Sequence, residues 1–263
     1  MTLDVIIATY KPDGIERVAK MDLPVVKDAG YIISWQAHQD YPVPEKLKRD
    51  DVKIFRMEGV GLSRNRNNAI NHSSADIIYI ADDDIEILPG ALDKIRDRFT
   101  EYLDTEVASF KMKEQEGKIY PPEICKLSLQ LPKDYHISSI ELAFKRQLFP
   151  EIKFNEAFGI NSGVFGGGEE EIFHLQARKK GYVCRFFPDT IVSHPAASTG
   201  LREISDPKVV EGFGAVISKS YPLTFLLRLP LKAYRLKKKK QYGFLKSLFY
   251  LTKGMLKSYS IKL

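Results

Sequence analysis

The amino-acid sequence predicts an α/β fold, with a mainly parallel central sheet flanked by helices and a basic helical tail. Three observations predict it. Short runs rich in Val and Ile alternate with helical stretches over the first hundred residues, as βαβ units do. The 263 residues, 44% hydrophobic and 28% charged, have the composition of a globular protein of one large domain or two small ones, which excludes disordered, collagen-like and low-complexity chains. The charge is also divided: Gly212–Leu263 holds twelve Lys or Arg and no acid, whereas residues 1–211 hold 28 basic and 34 acidic residues. A mildly acidic domain over 1–211 and a basic segment over 212–263 are therefore expected, unlike a uniformly basic nucleic-acid binder.

Each element follows from local pattern. Leu3–Ala8 is a buried-strand run that ends in Thr9-Tyr10-Lys11-Pro12, which reads as a turn. Similar runs recur at Tyr31–Trp35, Val52–Met57 and Ile77–Ala81, with a helical stretch, Leu62–His72, between the last two. Leu88-Pro89-Gly90 starts another helix, in which Leu92, Ile95 and Phe99 fall at helical spacing. From Lys111 to Pro150 the pattern weakens, and Pro121-Pro122 and Pro132 break it; this reads as an irregular segment facing a substrate. Glu169–Lys180 is a helix closed by Gly181, followed by strand-like Val183–Phe187 and Thr190–Ser193.

In the tail, Leu223–Leu231 is an apolar stretch carrying Arg228, and Lys237–Lys240 is a four-lysine run. Phe244, Leu245, Leu248, Phe249, Leu251 and Leu256 recur at three- and four-residue spacings, as on one face of an amphipathic helix. That face either packs on the domain or lies on an anionic lipid surface. No internal repeat is present. Cys125 and Cys184 stand far apart without CxxC spacing, so neither a disulfide framework nor a zinc site is indicated. The N-terminus has no basic region followed by a long apolar one, and no apolar run approaches the roughly 20 residues of a spanning helix. The expectation is a cytoplasmic protein peripheral to a membrane.

Asp82-Asp83-Asp84 follows directly on Ile77–Ala81. Ligands of open α/β sheets bind beyond the carboxyl ends of the strands. Residues two apart in extended backbone point the same way, which presents Asp82 and Asp84 on one side. Adjacent carboxylates raise one another's pKa unless a cation sits among them, and hard oxygen ligands suit Mg²⁺ or Mn²⁺ bridging a diphosphate. The plainer reading, a solvated acidic turn, is outweighed by the position at a buried strand's end. Glu169-Glu170-Glu171 opens a helix after Gly166-Gly167-Gly168. The helix dipole alone accounts for acids in a first turn, yet the glycines also allow close approach by a ligand or a moving loop. His174 lies one turn beyond Glu170 and either orients it or is a surface histidine. Gly61-Leu62-Ser63-Arg64-Asn65-Arg66-Asn67 reads as a helix N-terminus with guanidinium groups beside it, suited to a nucleotide or diphosphate, or else as an exposed helix. His194, before Pro195, is either structural or a third metal ligand.

Four blocks in order, VIIATY, GLSRNRNNAI, DIIYIADDDIEILPGAL and GGGEEEIFHLQARKKGYVCRFFPDTIVSHP, together resemble a bacterial glycosyltransferase of family 2 with the GT-A fold. The resemblance covers about residues 3–200. It implies a GT-A catalytic domain over 1–211, followed by a membrane-associated segment over 212–263. It makes Asp82-Asp83-Asp84 similar to the DxD motif, with Asp84 on the divalent metal assisted by Asp82, and with Asp82 and Asp83 toward the nucleotide sugar's ribose or diphosphate. Glu169-Glu170 resembles the family's acidic pair, with Glu170 as general base and Glu169 on the nucleotide sugar. Arg66-Asn67 and Ala8-Thr9-Tyr10 resemble nucleotide-binding elements, and His194, in SHPAAST, resembles a histidine placed near the metal and diphosphate in some relatives. Many relatives carry an aspartate after the second strand, where this chain has Trp35-Gln36-Ala37-His38; Gln36 can bond a base through its amide, and Asp40 follows four residues on. The implied reaction is inverting transfer from a nucleoside-diphosphate sugar, a UDP-sugar first among them, with Mn²⁺ or Mg²⁺. The implied acceptor is a hydroxyl of a glycan or lipid-linked saccharide, in bacterial surface polysaccharide or lipopolysaccharide synthesis at the inner face of the cytoplasmic membrane.

Two other readings stand beside it. A sugar-phosphate nucleotidyltransferase also uses a Mg²⁺–carboxylate site, but would carry a Gly-rich basic loop where this chain has Ala8-Thr9-Tyr10-Lys11-Pro12. A non-catalytic membrane or RNA binder would use the basic tail, among which Tyr234, Tyr242, Phe244, Phe249 and Tyr250 interleave.

Overall fold

A computed structural model describes residues 1–114, 119–120, 127–128, 138–194, 206–238 and 242–263. Cys125, Pro195 and the rest of SHPAAST, Lys239-Lys240, and most of the segment expected to face a substrate lie outside them. The elements, in order, are β1 (Leu3–Tyr10), α1 (Lys11–Lys20), β2 (Ala29–Gln36), β3 (Val52–Met57), α2 (Leu62–Asn71), β4 (Ile77–Ala81), β5 (Glu86–Ile87), α3 (Ala91–Glu101), β6 (Val107–Glu114), β7 (Ile119–Tyr120), β8 (Leu142–Lys145), α4 (Glu169–Lys179), β9 (Cys184–His194), α5 (Pro207–Ser220), α6 (Phe225–Lys238) and α7 (Phe244–Ser258).

The strands form one mixed sheet in the order β3-β2-β1-β4-β8-β6-β9-β5, with β7 beside β6. β3, β2, β1 and β4 are mutually parallel, as the alternating pattern predicts. β8 runs antiparallel to both β4 and β6, and β5 antiparallel to β9, so the other half is mixed. The chain steps outward from β1 to β2 and β3, then returns to place β4 on β1's other side. That reversal opens a crevice beyond the carboxyl ends of β1 and β4, where α/β sheets bind ligands.

Burial explains the strands. All five residues of β4 and Leu3, Val5, Ile6 and Ile7 of β1 are buried, the pattern of strands covered on both faces. Leu92, Ile95 and Phe99 of α3 are buried as their spacing predicts. Three readings change. The turn expected at Thr9–Pro12 is instead the end of β1 running straight into α1, because Pro12 falls in the helix's first turn, where its missing N–H costs nothing. The two strand pieces around Pro188-Asp189 are one strand, β9, whose pairing with β6 slips at Ser109–Met112 to accommodate them. Ser138–Lys145 is ordered: a capping box between Ser138 and Glu141 closes a short 3₁₀ turn that leads into β8.

Two compact units share the chain. The first comprises Met1–Val60, Asn65–Lys153 and Gln176–Ala196 and holds the sheet. The second comprises Gly61–Arg64, Phe154–Leu175 and Ala197–Leu263. α5 therefore runs through the 211/212 boundary drawn from charge, because composition changes there while the helix does not.

Inside the second unit α7 packs on α5 at backbone distance: a Cβ at Gly214 would overlap the Leu251 carbonyl, and one at Gly254 would overlap the Glu211 carbonyl. The face α7 buries is Ser247, Leu251, Gly254, Met255 and Ser258, whereas Leu245, Phe249 and Leu256 of the predicted apolar face stay exposed. Small residues won this contact because helices approach closely only where side chains are short. Buried Glu211 fixes the pair through Lys253 at 2.8 Å and Lys257 at 2.5 Å. Burial pushes its carboxyl up, and the two ammonium groups outweigh that and hold it below the usual range.

Candidate active site

The acidic triplet sits where the sheet's topology predicts a ligand. Ile7 of β1 pairs with Ala81, the last residue of β4, so Thr9 and Asp82–Asp84 extend past the sheet together. Each aspartate has its own partner. Asp83 accepts Nε (3.0 Å) and Nη2 (2.9 Å) of Arg17 and the Thr9 hydroxyl at 2.6 Å. Burial pushes Asp83 up, against the pull of Arg17 and Thr9, and the Asp82 charge adds to the rise. Gly14, one turn before Arg17, makes this approach possible: a Cβ there would overlap the Thr9 hydroxyl and reach within 3.2 Å of Asp83 Oδ2.

Asp82 accepts Nη2 of Arg66 at 3.0 Å, and the same nitrogen donates to Ser139 Oγ at 2.7 Å. Arg66 is buried, so its guanidinium is a fixed positive charge rather than an exposed arginine. Asn67 is buried as well. Asn65 donates from Nδ2 to the Thr9 carbonyl at 2.9 Å, tying α2 to the end of β1. Asp84 Oδ1 lies 3.6 Å from His194 Nε2, because β9 ends in the histidine. Burial and the Asp82 charge raise the Asp84 pKa, while His194 and Arg17 pull it down. The first unit thus gathers Thr9, Asp82, Asp83, Asp84, Arg66 and His194, six of the residues singled out in the sequence.

No group of three or more His, Cys, Asp or Glu side chains stands ready for a metal ion among the described residues. The donors present nonetheless suit a hard divalent ion. Asp84 and His194 offer oxygen and nitrogen at one point, and Mg²⁺ is usually held by one or two carboxylates completed by substrate phosphates rather than by a protein cage. A cation there would also relieve the repulsion that raises Asp84.

After β2 the expectation changes. Gln36 is buried, with Nε2 turned to Met57 Sδ at 3.6 Å, because its β3 partner across the sheet is Met57. The polar groups beyond it are His38 and Asp40, in a turn where Ala37, Gln39 and Asp40 all take positive φ. Such strain in non-glycine residues concentrates at functional loops. Ala8 is half-buried, and Tyr10 is exposed with Lys11 over its ring.

The glutamates belong to the second unit. Glu169 is buried and Glu170 half-buried at the start of α4. A Cβ at Gly159, whose φ is +102°, would stand 3.3 Å from both Glu169 Cδ and Ser63 Oγ, so the glycine seats the carboxylate against the backbone. Burial and the Glu170 charge push Glu171 up to about 7, with its own backbone N–H and Lys232 opposing. His174 is buried, not a surface histidine. Two of the three glycines ahead of α4 make room for a neighbouring helix: a Cβ at Gly166 would press on Val209 and one at Gly168 on Val216, while Gly167 has open space beside it and its carbonyl faces Gly212. The approach they allow is that of α5.

A family model described as "Glycosyl transferase family 2" matches residues 25–165, more than half of the chain. The chain belongs to glycosyl transferase family 2. Among solved structures, S. aureus TarS 1–349 superposes with a TM-score of 0.58 at 17% identity, over 83% of this chain and 65% of that one. A longer TarS structure gives 0.56 at 16%, over 92% and 54%, so this chain spans only part of those proteins. TarS 1–349 in complex with UDP-GlcNAc gives 0.55 at 14%, over 99% and 93%. These likenesses are of fold, and they place this family 2 chain among GT-A structures. No curated protein sequence matches it significantly.

Sequence reasoning missed Arg17, Gly14, Ser139 and Gly159. Arg17 stands 66 residues from Asp83, and only the pairing of β1 with β4 joins them. The one local signal was Gly14 and Arg17 on one face of α1, a glycine where a helix former is expected.

Proposed function

We propose that this family 2 protein transfers a sugar from a nucleoside-diphosphate sugar, with a UDP-sugar the first candidate, to a hydroxyl of a glycan or lipid-linked saccharide. The observation that carries the reading is the acidic triplet at the sheet's switch point, with a separate partner for each aspartate. The UDP and UDP-GlcNAc complexes of the similar TarS structures support the choice of nucleotide.

In this reading Asp84 and His194 would hold Mn²⁺ or Mg²⁺, which when bound neutralises charge on the leaving diphosphate. Asp82, fixed by Arg66, takes the ribose or diphosphate; Arg66 and Asn67 line the nucleotide side, and Ala8-Thr9-Tyr10 forms the first loop beside it. Asp83 acts through the loop it anchors with Arg17 and Thr9. The base contacts fall to the turn with His38 and Asp40 rather than to Gln36. Glu170 removes the proton from the acceptor hydroxyl as that oxygen bonds to the anomeric carbon. The carbon–oxygen bond to the diphosphate breaks on the opposite side, which inverts the anomeric centre, and Glu169 belongs to the same glutamate pair. The setting is bacterial surface polysaccharide or lipopolysaccharide synthesis, with the protein held at the inner face of the cytoplasmic membrane by its basic segment.

A panel of nucleotide sugars, assayed for hydrolysis with and without Mn²⁺, tests the reading. Release of nucleoside diphosphate from at least one donor, lost on chelation, is expected. Absence of turnover and of UDP binding across the panel overturns it.

A further inference from the structure

α6 carries apolar side chains on two faces. Leu229, Ala233 and Leu236, four and three residues apart, are buried in a core with Val210, Leu251 and Met255. A second stripe, Leu226, Leu227, Leu231 and Tyr234, is exposed, Leu226 by 70% and Leu227 by 79%, and Leu223 just ahead of the helix is exposed by 96%. α7 adds exposed Leu245, Phe249 and Leu256. Scattered surface leucines need no account, but a stripe opposite a face already in the core does. Arg228, Arg235, Lys237, Lys238 and Lys246 are exposed on the same two helices, and no acid occurs from 212 to 263. No helix among the described residues is long and apolar enough to cross a membrane.

We propose that the exposed stripe of α6 docks on an anionic lipid surface, with its leucines among the acyl chains and its basic side chains at the headgroup phosphates. This rests on the reading above and deepens it, naming α6 rather than the apolar face predicted from Phe244 to Leu256, part of which α7 uses against α5. Charge selects the occupant. A second copy meeting this face about a two-fold axis would set Arg228, Arg235, Lys237 and Lys238 against their own kind, with no acid in the segment to offset them. Single-stranded nucleic acid stacks on aromatic platforms, and this stripe is leucine with one tyrosine. An anionic bilayer accepts both parts, insertion of the apolar face and about a fivefold gain in partition for each basic residue near the surface. Because α6 is anchored in the core by its other face, the docking surface is formed before contact.

The test is co-sedimentation of the full chain with phosphatidylglycerol–phosphatidylcholine vesicles and with phosphatidylcholine vesicles. Pelleting with the anionic vesicles at low salt, and release by added salt, is expected. L226E/L227E lowers partition at least tenfold, and K237Q/K238Q by about fivefold per charge, with circular dichroism and calorimetric UDP affinity unchanged. Sedimentation of L226E/L227E equal to that of the parent overturns the proposal. So does a dimer in light scattering that L226E/L227E dissociates while the parent ignores vesicles. Vesicle binding without UDP binding sinks the transferase reading and leaves the docking surface standing.

Discussion

The chain has two runs of three carboxylates, and they handle their charge differently. Asp82, Asp83 and Asp84 each face a separate nitrogen group: Arg66, Arg17 and His194. Glu169, Glu170 and Glu171 share one helix start, and crowding with burial leaves Glu171 titrating near 7. Burial raises Asp83 and Asp84 as well, but there Arg17 or His194 pulls the other way, and the partner holds the side chain in place, which suits it to shape a ligand site. Glu171, pushed up by burial and the Glu170 charge, can instead hold a proton near neutral pH. Topology supplies the aspartates' partners, because strand ends in a sheet bring them together from distant segments.

The largest effects should come from the two ends of this comparison. Asp84→Asn is nearly isosteric and is expected to remove Mn²⁺-dependent nucleotide-sugar binding and cut turnover by roughly a thousandfold or more, since charge neutralisation by such an ion contributes several kcal/mol. Calorimetry with unaltered Mn²⁺ and donor affinity would assign Asp84 to the aspartates that only shape the loop. Glu170→Gln is expected to bind donor normally and lose about 10²–10⁴-fold in turnover. If Glu169→Gln is the inactive variant and Glu170→Gln turns over normally, the base belongs to the buried glutamate.

A smaller effect probes how the aspartates are held. Arg17→Met leaves Asp83 beside Thr9 without its cation, and a loss of about 1–2 kcal/mol in unfolding free energy is expected. Arg17→Met with Asp83→Asn should cost less than the two changes added together, because the double change removes the stranded charge. Strict additivity in urea titrations would mean that the pair does no joint work.

Much of the first unit was legible because its signals are local. Five buried residues of β4 followed by three aspartates locate the strand and its ligand end without any tertiary information. Arg17 and Ser139 were illegible for the opposite reason, since each meets its aspartate only through strand pairing across more than fifty residues. The second unit was less legible. Close approach of α5 accounts for Gly166 and Gly168, and of the α7 face that the sequence offered to the domain or to lipid, Leu245, Phe249 and Leu256 stay exposed. Periodicity reports which residues are apolar, and it is silent on how near another backbone will come.

Glu171 gives the smallest effect and the sharpest sign. Its folded pKa of about 7 lies above the usual glutamate value near 4.5. The folded state therefore binds a proton that the unfolded chain releases earlier, so this group's contribution to stability is complete below about pH 4.5 and is lost as pH rises through about 7. Glu171→Gln cannot lose a proton and escapes that loss. The variant should be the more stable protein at pH 8, by up to about 3 kcal/mol, with the gap closing toward pH 4.5. Unfolding curves of the two proteins that stay parallel from pH 5 to 8 would show Glu171 to be fully ionised in the fold, and the two triplets would then differ only in their partners.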